Sequence, residues 1–193
     1  MVVSRARTGA AAILAGALLF LGQGGELVFD EPEALWGAIG AGSFFALAFA
    51  LWGLRKLIAG TRVGRIGTRL ALVGVGFLVL FAVQLVVELI RTGEVPDNFV
   101  LFLIGFLLIL VGQLLFARDL RPAVGRGWVF PIVAVAGLVA ALFLNSVGLH
   151  DIGLFVFEGA WVGLGVALLR QPSEADSVER EDQRKDDHDR GGP

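Results

Sequence analysis

The sequence predicts an all-α membrane protein with six transmembrane helices, arranged as three antiparallel hairpins. Hydrophobic residues make up 56% of the 193 residues and charged residues only 18%, a balance too apolar for an ordinary soluble domain. The apolar residues fall into six segments, each close to the ~20 residues that a spanning helix needs. Five short connections separate these segments, and their charge alternates between basic and acidic or nearly uncharged.

The basic residues are sorted by connection, and this sorting predicts the orientation of the chain. The inner side is assigned Arg5, Arg7, Arg55, Lys56, Arg62, Arg65, Arg69, Arg118, Arg121, Arg126 and Arg170, against a single acid, Asp119. The outer side holds one base, Arg91. Because short cytoplasmic loops carry an excess of Lys and Arg, both termini are expected in the cytoplasm. The excess of arginine over lysine in an Ala/Gly/Val-rich chain favours a prokaryotic plasma membrane.

The predicted transmembrane domain covers residues 1–170, with spans at 8–28, 34–54, 70–90, 99–117, 128–145 and 152–169. In the first span, Arg5 and Arg7 precede the apolar run Ala10–Gly22, which also fits a secretory signal peptide. No small-x-small cleavage site follows this run, so a retained signal anchor is favoured over a cleaved leader.

The second span opens at Pro32 with carboxylates around it, and it ends at Arg55 and Lys56. Proline suits a first helical turn, where carboxylates also meet the positive end of the helix dipole. A basic loop is expected up to Arg69, after which the third span runs to Arg91.

The fourth span is expected to begin at an N-cap, Asp97 or Asn98, and to end before the second basic loop. Pro131 lies in the first turn of the fifth span, where its missing donor costs least. The sixth span is closed by Arg170. Residues 171–193 form a tail of eight acids and four bases, which cannot bury enough apolar surface to become ordered.

A pseudo-threefold repeat of the hairpins is suggested by matching residues in the odd spans. The amides Gln23, Gln84 and Asn145 are spaced 61 residues apart. Small residues coincide in the same register at Ala15, Gly76 and Gly137, and large apolar residues at Phe20, Phe81 and Leu142. An ancestral repeat about an axis along the membrane normal is one interpretation. The other is that three spans independently placed a polar residue near the interface.

Polar residues inside the apolar spans are the candidate functional residues, because they are costly there and usually face the bundle interior. The candidate set is Glu158, Glu88, Gln84, Gln23, Asn145, Glu26 and His150. In one interpretation these residues line an outward-facing cavity that binds a cation, a proton or a polar ligand. In the other, Glu158 is protonated or hydrogen-bonded to a neighbouring helix and the others are interfacial caps. For Glu158 itself a functional role is favoured, and Trp161 is expected to pack near it.

Most specific chemistries lack the residues they need. The chain has no cysteine, and only His150 lies outside the tail, which leaves no histidine pair for a haem and weak support for zinc. No nucleophile elbow, P-loop or dinucleotide fingerprint appears, and Gly159, Gly163 and Gly165 are expected to form helix-packing surfaces. No catalytic residue, metal or cofactor is predicted.

The leading functional hypothesis is a non-catalytic multi-pass membrane protein that binds or passes a small solute, or supports the envelope. The alternatives are a proton- or cation-coupled transporter that uses Glu158 and, less favoured, an intramembrane lipid-modifying enzyme. The expected partner is the lipid bilayer. A second copy of the chain and a small solute or cation are left open, and nucleic acid is not expected because the basic loops are explained by topology and anionic lipid.

Overall fold

The chain folds into helices throughout the part that the computed structural model describes, residues 5–28, 33–58, 61–92, 100–144 and 150–170. No strand occurs in these ranges, which confirms the all-α prediction. The helices are α1 (Arg5–Val28), α2 (Glu33–Leu57), α3 (Arg62–Thr92), α4 (Val100–Ala117), a single turn α5 (Arg121–Val124), α6 (Phe130–Leu144) and α7 (His150–Arg170). Two 3-10 turns, Arg118–Leu120 and Gly125–Val129, flank α5.

Five helical stretches of the described residues are long and apolar enough to cross a membrane. They are Arg5–Gly25, Ala38–Leu57, Arg62–Thr92, Val100–Ala141 and Asp151–Arg170. The fourth stretch is 42 residues long and contains both α4 and α6, together with the turns between them. The helical composition is therefore that of a membrane protein.

The long helices pack side by side in a closed ring, in the order α1, α2, α3, α4, α6, α7. The most extensive interfaces lie within three consecutive pairs, α1 with α2, α3 with α4, and α6 with α7. The interface of α1 with α7 is of similar extent and closes the ring. The interfaces of α2 with α3 and of α4 with α6 are much smaller.

Neighbouring helices in the ring are antiparallel. In α3 and α4, for example, Gly67 packs on Gly112 while Gly74 packs on Gly105, so the two helices run in opposite directions. The chain reverses between α4 and α6 through a turn at Gly125, whose φ of 53° lies in the region that favours glycine. Pro131 lies in the first turn of α6, as predicted.

One end of the bundle carries almost all of the basic residues that the structure describes, and we call it the basic end. Contacts between helix termini define it, since Gly53 lies against Thr8 and Gly127 lies against Ala167. The eleven basic residues assigned to the inner side by sequence all lie on helix ends or turns at this end. The opposite end carries Arg91. The separation of basic residues between the two ends of the bundle thus follows directly from the antiparallel order of the helices.

Glycines bring the backbones of α3 and α4 into direct contact. A Cβ atom added to Gly112 would lie 2.6 Å from the Gly67 carbonyl oxygen, and one added to Gly67 would lie 2.7 Å from the Gly112 carbonyl oxygen. The pair Gly9 and Gly165 does the same between α1 and α7. Helices in lipid gain little from hydrophobic burial against each other, so close packing of this kind is a main source of their association.

Helix α3 begins at Arg62, where the sequence analysis predicts a loop up to Arg69. Thr61 supplies the start signal, because its hydroxyl accepts a hydrogen bond from the Gly64 backbone N–H at 3.0 Å, as an N-cap does. The same hydroxyl donates to the carboxylate of Asp119 in the turn after α4. Because α3 starts this early, Gly67 lies within the helix and packs against α4.

Two expectations about small residues are wrong. The proposed repeat makes Gly76 equivalent to Ala15 and Gly137, yet Gly76 is exposed and a Cβ added to it would meet no atom of another helix within 4 Å, whereas Ala15 is buried and Gly137 contacts Gly153. Close contact in α3 occurs at Gly67 and Gly74, on a different face of the helix. Gly159 likewise meets open space, although Gly163 and Gly165 do pack against neighbouring helices, as expected.

Substitution of Gly112 by Leu is expected to destabilise the protein by about 1–3 kcal/mol, because backbone atoms rather than movable side chains occupy the space. Gly76→Leu is the matched control, since it makes the same chemical change at an open position on the paired helix. Thermal unfolding in mild detergent measures both. Equal unfolding midpoints for the two variants would contradict the close contact of α3 with α4.

Candidate functional site

Glu158 lies in the middle of α7, and its side chain is turned into the bundle. The residue is only 3% exposed, and its Oε2 atom is buried without a hydrogen-bond partner. The helix is held there by α1, since a Cβ on Gly16 would lie 2.6 Å from the Glu158 carbonyl oxygen. The outward-facing cavity expected around Glu158 is therefore closed to water in this structure.

Trp161 lies one turn after Glu158 on the same buried side of α7. It is 2% exposed, which confirms that it packs inside the bundle, and its indole Nε1 is buried without a hydrogen-bond partner. Buried indole N–H groups usually find an acceptor. Glu158 and Trp161, on successive turns of α7, thus each direct into the interior a polar atom that has no hydrogen-bond partner among the described residues.

Gln113 on α4 is the third buried polar residue of this kind. It is 0% exposed, and neither its Oε1 nor its Nε2 atom has a hydrogen-bond partner. An amide side chain offers two donors and an acceptor with two lone pairs, so a completely buried amide without any partner is rare in folded proteins. Gln113 does not belong to the candidate set predicted from the sequence.

The three residues lie at successive depths in the bundle. Helices α4 and α7 run in the same direction, because α4 leads into the turn at the basic end and Gly127 of that turn contacts Ala167 near the end of α7. The rings of Phe106 and Phe157 meet at 6.0 Å between centroids and set the common level. At ~1.5 Å per residue, Gln113 lies about 10 Å from that level toward the basic end.

Glu158 follows Phe157 directly, and Trp161 lies about 6 Å from the level of the two rings. The order toward the basic end is therefore Glu158, Trp161 and Gln113. We call these three residues the interior polar column.

Four phenylalanines form an aromatic layer beside the outer part of this column. The ring centroids of Phe81 and Phe102 are 5.4 Å apart, those of Phe102 and Phe106 are 4.5 Å apart, and Phe106 then meets Phe157. The layer runs from α3 through α4 to α7. Trp161 and Gln113 lie on the basic-end side of the level set by Phe106 and Phe157.

Gln23 and Asp151 join α1 to the start of α7. The Gln23 Nε2 atom donates a hydrogen bond to Asp151 Oδ1 at 2.7 Å. Asp151 lies in the first turn of α7, where a carboxylate is also favoured by the helix dipole. It lies two turns from Glu158, on the same side of the helix. Of the predicted set, Gln23 is therefore the residue that the structure places on the same helix interface as Glu158.

Gln84 and Glu88 lie on a different interface. Both are half-buried on α3, which packs mainly against α4 and α2 rather than α7. Near this end of α3, the Thr92 hydroxyl donates to the Glu88 carbonyl oxygen at 2.8 Å. These two residues are thus on the opposite side of the helix ring from Glu158.

The remaining candidates lie at or beyond the limits of the described residues. Glu26 belongs to the last turn of α1 and His150 is the first residue of α7, but the positions of their side chains are not described. Asn145 lies outside the described residues. Among the residues that the structure does describe, no three His, Asp or Glu side chains come together as a metal site would require.

Loss of the hydrogen bond from Gln23 to Asp151 is expected to cost about 1 kcal/mol, within the range of interhelical hydrogen bonds in membrane proteins. Gln23→Leu removes the donor, and thermal unfolding in detergent measures the loss. Asp151→Asn is the control, because an amide oxygen can still accept from Gln23. A Gln23→Leu variant as stable as the original protein would show that this bond does not hold α1 to α7.

Comparison with known proteins provides no further assignment. No family model matches the sequence, and neither the curated proteins nor the solved structures give a match.

Proposed function

We propose that this chain is a six-span protein of a prokaryotic plasma membrane that binds a proton or a small cation at Glu158 and passes it across the bilayer. The observation that carries the proposal is the buried carboxyl group of Glu158, with one oxygen lacking any hydrogen-bond partner. No catalytic step is part of the proposal.

The cost of the charge favours a bound proton or cation. An ionised carboxylate near the centre of a membrane helix costs about 2.5–3.5 kcal/mol on insertion scales. A buried charge is normally neutralised by a partner, a metal or a proton. Since no side chain is hydrogen-bonded to Oε2, a bound proton or an incoming cation is the remaining way to neutralise Glu158.

The alternatives fit this geometry less well. A purely structural carboxyl group is normally hydrogen-bonded to a neighbouring helix, and among the described residues Oε2 has no such partner. A lipid-modifying enzyme needs a nucleophile and a base within ~2.6–3.2 Å of each other. The isolation of Oε2 therefore supports binding over catalysis at Glu158.

The charge distribution supports the proposed topology. Three arginines, Arg118, Arg121 and Arg126, lie in the turn where the chain reverses between α4 and α6. This turn shares the basic end with the connection between α2 and α3. If α4 and α6 are separate spans, the chain crosses six times, and the positive-inside rule places the basic end and both termini in the cytoplasm.

Reporter fusions test this topology. Fusions after Arg62 and after Arg121 should report the cytoplasm, because both positions belong to the basic end, and fusions near Glu94 should report the outside. Activity of a periplasmic reporter after Arg62 would reverse the assignment. An outside position for Arg121 alone would instead show that α4 and α6 do not cross separately.

Substitution of Glu158 tests the function. In proteoliposomes that carry a membrane potential, Glu158→Gln should abolish proton or cation uptake, because an amide neither titrates nor carries charge. The folded yield should be unchanged, since the amide has nearly the same shape. Uptake is followed with an internal pH dye and with ion-selective electrodes.

Glu88→Gln is the matched control, because Glu88 is half-buried on the opposite side of the ring. Its uptake should equal that of the original protein. Uptake by Glu158→Gln at the original rate would refute the proposal. Glu158→Leu with raised thermal stability and unchanged uptake would also require that the site be withdrawn.

A further inference from the structure

We infer that the α3–α4 hairpin moves against the other four helices, and that Glu158, Trp161 and Gln113 mark a path for water and small cations that this movement opens. The inference rests on the proposed function in that the path leads to Glu158. Its central observation, however, concerns Gln113, which the proposed function does not use.

The helix ring divides into two parts of unequal cohesion. The first part, the four-helix unit, contains α6, α7, α1 and α2, joined by three extensive interfaces. Glycine contacts with backbone hold this unit together at Gly9 with Gly165 and at Gly137 with Gly153. The second part is the α3–α4 hairpin, which has its own glycine contacts. The seam between the parts consists of the two small interfaces, α2 with α3 and α4 with α6, and of the interior contact of α4 with α7.

Contact across the seam includes a pair of aromatic side chains. In the interior, Phe106 of the hairpin meets Phe157 of the four-helix unit through their rings, at a tilt of 40°. Near the basic end, Ile58, which follows α2, packs on Gly64 of the hairpin. The two parts thus meet over a small area, as a hinged element requires.

The unsatisfied polar atoms lie on both sides of this seam. Gln113 belongs to the hairpin, while Glu158 and Trp161 belong to the four-helix unit. Each carries a buried polar atom without a hydrogen-bond partner among the described residues, so that no protein group in this part of the chain compensates for its desolvation. Water entering a widened seam would satisfy all three. Hydration of these three side chains would offset part of the free energy needed to separate the helices. The closed and the open arrangement can therefore lie close in free energy.

The Gln113 amide is completely buried, so exchange of bulk water at this side chain requires the surrounding helices to separate. A path that opens and closes requires a polar group of this kind. The buried Glu158 carboxyl group fits the same description.

The absence of cysteine from the chain allows a direct test by thiol labelling. Gln113→Cys, reconstituted in vesicles, is treated with a membrane-impermeant maleimide, which reacts with the thiolate and therefore requires water at the site. Leu114→Cys is the matched control, because Leu114 has the same depth on α4 but is 53% exposed on the outer surface of the ring, where lipid excludes water.

The inference expects labelling of Cys at position 113 several-fold faster than at position 114. Labelling should persist when Glu158→Gln is combined with Gln113→Cys, since the movement does not need the carboxylate. Labelling no faster than the control would overturn the inference while leaving Glu158-dependent uptake intact. Labelling without any Glu158-dependent uptake would support the path and refute the proposed function.

A distance measurement tests the movement without altering Gln113. Spin labels at Leu14 on α1 and Leu114 on α4 span the seam, and labels at Leu14 and Ile132 on α6 both lie within the four-helix unit. All three side chains face outward and are exposed. The pair across the seam should show two distances or a broad distribution, and the pair within the unit a single narrow one. Equal, narrow distributions for both pairs would overturn the inference.

Discussion

Direct contact between helix backbones at glycine is the constraint on which this bundle depends. Carbonyl oxygens lie within 2.8 Å of the position that a Cβ would take at Gly9 and Gly165 between α1 and α7, and at Gly67 and Gly112 between α3 and α4. In lipid, where apolar side chains gain little from leaving the solvent, such contacts provide close packing that larger residues cannot. They fix which helices are neighbours and which residues face the interior.

The polar interior follows from the same constraint. Where α1 is pressed against α7 at Gly16, the side chains of Glu158 and Trp161 are directed into the ring, and Gln113 reaches the interior from α4. The bundle thus encloses polar atoms without giving them partners. A protein selected only for stability would replace such residues with apolar ones, because apolar replacement removes the cost. Their presence is the observation on which the proposed role of Glu158 rests.

The sequence predicted those features that depend on local composition. Apolar length and charge sorting predicted the helices and the segregation of basic residues, Pro131 was placed in a first turn, and Trp161 was assigned to the interior. Features that depend on tertiary contact were not predictable. The contact of Thr61 with Asp119, which is 58 residues away, is one such feature, although the N-cap that Thr61 provides for α3 is itself a local signal. Gly74 and Gly76 are equivalent by composition, and only the position of α4 distinguishes them. Gln113 is an ordinary polar residue near a helix end until its burial is known.

Infrared difference spectroscopy of the reconstituted protein tests most directly whether Glu158 exchanges a proton or a cation inside the bundle. The carbonyl band of a protonated carboxylic acid is distinct from the bands of a carboxylate. The account predicts a carboxylic acid band that is missing in Glu158→Gln and that diminishes when the proton is removed by rising pH or displaced by a cation. A Glu158 band that stays constant under all of these conditions would contradict the account, because a permanently protonated group can neither release a proton nor bind a cation.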